Sequence, residues 1–194
     1  MRGGEVPVPG LLLGPDELRA TVSRLGEELS RTHDDGTVMV AVLKGGAPFL
    51  ADLVRAVSFH PLVDFLAVSP YPSGGGRVRL VKDLDTDIEG RDVVLVEDVV
   101  DSGLSLTYLR GELSRRGPRS LVVCALVDKP GRRLVPVEVD HIGVTTAADY
   151  VIGYGLDFAG RYRNLDLLAI ADPQVLAGDP DRYVPWAYSR RRGG

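Results

Sequence analysis

A chain of 194 residues with 44% apolar and 26% charged side chains is long enough for one folded domain with a small appendage. A net charge of −4 gives no support to a general nucleic-acid-binding role, and the short run Arg190-Arg191-Arg192 reads as a solvated tail. The single cysteine, Cys124, excludes an intrachain disulfide. No apolar stretch approaches the roughly 18 residues of a membrane helix. The opening MRGGEVPVPGLLLG is too proline-rich for a secretory signal, so the cytoplasm is the expected location.

Leu18, Val22, Leu25 and Leu29 recur at spacings of 4, 3 and 4, one face of a helix begun by Gly14-Pro15 with Asp16 and Glu17 in its first turn. TVMVAVL (37–43) is a continuous apolar run and predicts a strand buried on both faces. After Lys44-Gly45-Gly46, the residues Phe49, Leu50, Leu53, Val54 and Val57 give a second helical face. LVDFLAV (62–68) and RVRLV (77–81) predict strands around the glycine-rich PSGGG, and DVVLVED (92–98) predicts another buried strand. Leu106, Leu109 and Leu113 mark a helix ended by Gly117-Pro118. LVVCALV (121–127), with Cys124 in its core, VEVDHIGV and YVIGYGLDF supply further strands. From Ala171 the chain is rich in Pro, Asp and Arg and reads as loop and tail, 171–194.

Alternating strands and helices imply an α/β fold with a parallel sheet flanked by helices, whose ligands bind beyond the carboxyl ends of the strands. Three polar clusters follow strands: Lys44-Gly45-Gly46, Glu97 to Ser105, and Asp128-Lys129. Neither the dinucleotide-binding glycine fingerprint nor the phosphate loop of ordinary ATPases is present.

In VLVEDVVDSGLSLTYL (94–109), Glu97 and Asp98 close a greasy run and Asp101 follows three residues later. DSGLS (101–105) opens a helix whose N–H groups, with the hydroxyls of Ser102 and Ser105, suit a phosphate. Gly103 lets the backbone approach it. Glu97 and Asp98 repel a phosphate but suit sugar hydroxyls or a divalent cation. Together these point to a phosphorylated sugar. A capped helix after an acidic turn fits the same residues, and spacing alone does not choose between the two.

VLVEDVVDSGLS resembles the phosphoribosyl pyrophosphate signature of type I phosphoribosyltransferases, in particular the hypoxanthine-guanine phosphoribosyltransferases. VAVLKGGAPFLADLVRAV resembles that family's pyrophosphate loop and following helix, VKDLDTDIEGRDV the segment before the signature, LVDKPGRR the purine-contacting strand end, and YVIGYGLDFAGRYRNL the hood. The likeness spans about residues 11–170 with its motifs in the family's order. It implies a phosphoribosyltransferase domain over 1–170, with a parallel core and a small hood from the N-terminal and 128–170 segments. It also implies a purine-salvage enzyme: the 5-phosphoribosyl group passes from phosphoribosyl pyrophosphate to N9 of hypoxanthine or guanine, giving the nucleoside monophosphate and pyrophosphate.

Carried over position by position, the resemblance assigns Glu97 and Asp98 to the ribose hydroxyls, and Asp101 to acid–base work near purine N7. Asp101, Ser102, Gly103, Leu104 and Ser105 take the 5′-phosphate. Lys44, Gly45 and Arg163 take the pyrophosphate, with a cis Lys44–Gly45 bond expected in that loop. Asp157 is assigned to Mg²⁺. Lys129 matches the donor to the purine 6-oxo group, which favours 6-oxopurines over adenine because an ammonium accepts nothing from an amino group. Tyr150 takes the ring-stacking place and Val151 offers a backbone carbonyl to the base edge. The expected partners are phosphoribosyl pyrophosphate, a 6-oxopurine and further copies of the chain, as dimer or tetramer.

The chain departs from the family at SPYPSGGGRVR, where Tyr71 of the closing loop is kept but Pro70 replaces the preceding serine and the loop is shorter. GVTTAADY also departs from the family's more acidic version. These differences leave open another purine, xanthine or a modified base, and a non-catalytic nucleotide-binding regulator on the same scaffold.

Overall fold

The computed structural model describes residues 8–69 and 78–189. The chain divides into two compact units: residues 19–147, and the two terminal segments 1–18 and 148–194. The boundary between these units falls near residue 148, and the described residues 171–189, expected as loop and tail, group with the second unit.

The first elements are β1 (Gly10–Leu13), α1 (Pro15–Ser30), β2 (Val38–Leu43), α2 (Gly46–Ala56), β3 (Leu62–Val68), β4 (Leu80–Lys82) and β5 (Asp92–Val100). They are followed by α3 (Leu104–Ser114), β6 (Ser120–Asp128), β7 (His141–Thr145), β8 (Tyr150–Ile152), β9 (Leu168–Ala171), α4 (Pro173–Gly178) and α5 (Val184–Ser189). The 19–147 unit carries a six-stranded sheet in the order β4-β3-β2-β5-β6-β7. All neighbours run parallel except β4, which pairs antiparallel with β3. The parallel sheet expected from the sequence is thus present, with one antiparallel strand, β4, at its edge.

The apolar runs are continuous because both faces of the central strands are covered. Val38, Val40 and Val42 of β2 pack in one cluster with Val93 and Leu95 of β5 and with Leu106, Leu109 and Leu113 of α3. The intervening Met39 and Ala41 are equally buried, and α2 packs on β2 and β5, burying Phe49, Leu50 and Leu53. Burying each of these leucines is worth about 1.5–3 kcal/mol. Cys124 is fully buried in β6, as its setting predicted, and burial pushes its thiol far up.

The second unit holds an antiparallel sheet in the order β1-β9-β8. Neither β1 nor β9 was expected from the sequence, and β8 is shorter than YVIGYGLDF suggested: Gly153, Tyr154 and Gly155 all take positive φ and end it. The segment expected to be loop instead forms α4 and α5. The Asp172 carboxylate caps α4 by accepting from the N–H groups of Gln174 and Val175, with Pro173 in the first turn. Leu176, Tyr183 and Ala187 are buried in one cluster with Ile152, Tyr162 and Leu165. Among the described residues no helix is long and apolar enough to cross a membrane.

Candidate active site

The order of the sheet locates a site. From β2 the chain moves outward to β3 and β4, then returns to place β5 on the other side of β2. The segments leaving β2 and β5 at their carboxyl ends therefore diverge, and such a switch point opens a crevice beyond the sheet. The residues there are Lys44-Gly45-Gly46 after β2 and Glu97 to Gly103 at the end of β5, with Asp128-Lys129 beside them at the end of β6.

Glu97 and Asp98 lie within β5 rather than after it, since Val99 and Val100 still pair with Val127 and Asp128. Glu97 is 6% exposed; burial first, and the neighbouring Asp98 charge second, push its carboxyl well above the usual range. Asp98 faces the loop after β2. A Cβ placed on Gly45 would stand 1.5 Å from Asp98 Oδ2 and 2.5 Å from its Cγ, so only glycine leaves room for this carboxylate. The cis peptide of that loop is Leu43–Lys44, one bond before the expected Lys44–Gly45.

Gly103 has φ +82° and forms the N-cap of α3. A side chain there would meet the carbonyl oxygen of Val135 at 2.9 Å and Val137 Cγ1 at 3.0 Å. The Ser102 hydroxyl accepts from Leu104 N at 3.4 Å, and the Ser102 carbonyl accepts from Leu134 N at 2.9 Å. The loop from Asp101 to Ser105 thus presents the start of a helix, where N–H groups have no carbonyl behind them, and it rests on the segment after β6.

That segment contains what sequence reasoning missed. Lys129 is 4% exposed, and its N–H donates to the carbonyl of Val100 at 3.0 Å. Arg132 Nε donates to Asp101 Oδ1 at 2.9 Å. Arg133 Nη1 donates to the carbonyls of Asp101 at 2.6 Å, Val100 at 2.7 Å and Lys129 at 3.3 Å, while its Nη2 pairs with Asp128. The only signal for either arginine was its place in LVDKPGRR.

In the other unit, Tyr150 is half-buried on β8, its ring meeting Phe158 edge-on at 5.6 Å. Its hydroxyl donates to the Asp157 carbonyl at 2.8 Å. Val151, in the same strand, is buried. Arg163 Nη2 pairs with Asp157 Oδ1 at 2.7 Å, and Nη1 donates to the Gly155 carbonyl at 2.6 Å. The other carboxylate oxygen of Asp157 accepts from Gly160 N at 2.7 Å. The fold therefore brings Asp157 and Arg163 into direct contact. Tyr71 lies outside the described residues.

Comparison with known proteins gives this arrangement a family. The phosphoribosyl transferase domain matches residues 16–159. The hypoxanthine-guanine phosphoribosyltransferase of Mycobacterium tuberculosis is 44% identical over 178 residues, covering 87% of this chain and 88% of that one. The protein of the same name from Bacillus subtilis is 38% identical over 169 residues, covering 85% and 94%. A crystal structure of a hypoxanthine-guanine phosphoribosyltransferase from Bacillus anthracis matches with a TM-score of 0.81 at 35% identity, covering 86% of this chain and 100% of that one. The chain belongs to the hypoxanthine-guanine phosphoribosyltransferase family.

The residues also accommodate the magnesium ion that membership of this family implies. Each oxygen of Asp157 holds one hydrogen-bonding partner and keeps further acceptor capacity. Among the described residues no group of three or more His, Cys, Asp or Glu side chains forms a metal cage. The Asp157 carboxylate, with acceptor capacity to spare, suits Mg²⁺, which takes one or two carboxylates and completes its shell with phosphate oxygens and water.

Proposed function

We propose that the chain transfers the 5-phosphoribosyl group of phosphoribosyl pyrophosphate to N9 of hypoxanthine or guanine, with the following division of labour. Glu97 and Asp98 receive the ribose hydroxyls, because hydroxyls donate and carboxylates accept. The N–H groups and hydroxyls of Asp101 to Ser105 hold the 5′-phosphate against the start of α3. Lys44 and Gly45, with Arg163, bind the pyrophosphate. Lys129 donates to the 6-oxo group, Tyr150 offers a ring face to the base, and Val151 offers its carbonyl to the base edge. Asp157 would hold Mg²⁺, which when bound neutralises charge on the pyrophosphate.

The chemistry asked of the protein is modest. The C1′–N9 bond forms as the C1′–pyrophosphate bond breaks, and the purine must lose a proton. Asp101, placed near N7, takes or shares that proton. The remaining residues work by position: they hold donor and base in line and lower the entropy cost of bringing them together.

The observation that carries this reading is the meeting, at one switch point, of the Lys44-Gly45 loop with Asp98, and of Asp101 and Lys129 through Lys129 N and Val100 O. Three distant segments supply pyrophosphate, sugar and base contacts at adjoining strand ends. The reading retains the cytoplasmic location expected from the opening residues and the self-association expected from the resemblance.

A panel of purines with phosphoribosyl pyrophosphate and Mg²⁺, followed by pyrophosphate release, tests it. Hypoxanthine or guanine should react and adenine should not. Faster turnover of adenine than of both 6-oxopurines overturns the base assignment. Xanthine or a modified base as the sole substrate points to that alternative. Tight nucleotide binding without turnover of any base points to a regulator.

A further inference from the structure

Two consecutive arginines grip Asp101. Arg132 holds its side chain at Oδ1, and Arg133 holds its main chain. The second grip is the more unusual. One guanidinium nitrogen of Arg133 reaches three carbonyls, those of Val100 and Asp101 at the end of β5 and that of Lys129 at the end of β6. The other terminal nitrogen pairs with Asp128, the last residue of β6. The pair is well covered: the side chains of Arg133 and Asp128 are 14% and 8% exposed. The carbonyls of Val100 and Lys129 already accept from the N–H groups of Lys129 and Arg132, each at 3.0 Å, and the guanidinium adds a second donor to both as well as one to the Asp101 carbonyl. A planar fork with five N–H groups can serve several acceptors at once, and a lysine cannot reproduce it.

We infer that Arg133 is a positioning residue for the transfer reaction. Its guanidinium ties the backbone under Asp101 to the backbone under Lys129, so that the group handling the purine proton and the group reading the 6-oxo oxygen keep one fixed separation. The inference rests on the roles given to Asp101 and Lys129 above. Arg133 touches neither the ribose acids nor, in this reading, any substrate. Its loss therefore acts selectively. Donor binding, spread over Glu97, Asp98 and the N–H groups at the start of α3, falls less, although Arg133 also holds the Asp101 main chain at the edge of the phosphate loop. Purine binding and the bond-forming step both suffer, because a misplacement of about 1 Å in a reacting geometry costs on the order of a hundredfold.

The test uses the full chain with hypoxanthine, phosphoribosyl pyrophosphate and Mg²⁺. Arg133→Lys keeps the charge but not the fork. Its single-turnover rate and its affinity for hypoxanthine should each fall about tenfold or more, with a clearly smaller loss of donor affinity by calorimetry. Arg133→Ala should be partly and saturably rescued by millimolar methylguanidinium, in rate as well as in amount of active enzyme. Should Arg133→Ala fail to fold, the split between purine and donor affinity in Arg133→Lys decides alone. A purely structural arginine would lower the titrated fraction of active sites while leaving the rate per site and the purine affinity unchanged, and that result overturns the inference. So does an equal loss of donor and purine affinity. If the parent itself transfers nothing, the functional reading has failed rather than the role of Arg133.

Discussion

A methyl group at position 45 tests how closely the loop after β2 is built around Asp98. The backbone of Gly45 is right-handed (φ −65°, ψ −38°), a conformation alanine adopts readily. In an open place the change would stabilise by about 0.4–1 kcal/mol, by restricting the unfolded chain. The place is not open: the new Cβ would lie 1.5 Å from Asp98 Oδ2, where ordinary contact begins at 3.4 Å. Either the half-buried carboxylate or the loop must retreat by about 2 Å, and overpacking of this kind costs about 1–3 kcal/mol, toward the low end if the carboxylate swings away. If the carboxylate turns away, the donor also loses a charged hydrogen bond worth about 1.5–3 kcal/mol, or roughly 10–150-fold in affinity.

The three atoms nearest the added methyl all belong to Asp98, so Asp98→Ala removes the obstacle. Gly45→Ala should therefore destabilise the parent and stabilise the Asp98→Ala variant, a coupling of about 1.5–4 kcal/mol. Urea denaturation of the four proteins measures this, and calorimetric titration with phosphoribosyl pyrophosphate measures the donor. Additivity within about 0.5 kcal/mol would show that Gly45 is not a glycine on account of Asp98.

Asp101→Asn should lower the single-turnover rate by about 10²–10⁴-fold while leaving donor affinity nearly unchanged; Glu97→Gln with Asp98→Asn should instead weaken the donor, and identical behaviour of the two sets would refute the division of roles. Burial raises the Glu97 carboxyl above its unfolded value of about 4.3, so the folded chain binds that proton more tightly and stability falls as pH rises from the unfolded value through the raised one. Glu97→Gln should accordingly melt above the parent at pH 8 in metal-free buffer and level with it near pH 4, and a melting gap that ignores pH would deny Glu97 this role.

The local pattern of the chain settled much of this protein. The apolar runs at 37–43 and 121–127 announced strands, the first covered on both faces, and the leucine spacing at 106–113 announced the helix after the acids. These depend on neighbours a few residues apart, and burial imposes the same period wherever the strand lies. The acids Glu97, Asp98 and Asp101 were legible because charge at the end of an apolar run is costly without a purpose. Strand order was not legible, since any parallel neighbour satisfies a two-faced apolar strand. The helices after Ala171 were hidden by a composition that suits turns, although Asp172-Pro173 carried a helix start and the buried Tyr183 a reason to fold back. Gly45 and Arg133 show most clearly what tertiary structure alone decided. The glycine answers to a carboxylate 53 residues away, and the arginine answers largely to main-chain carbonyls, which every residue possesses and which leave no mark on side-chain pattern.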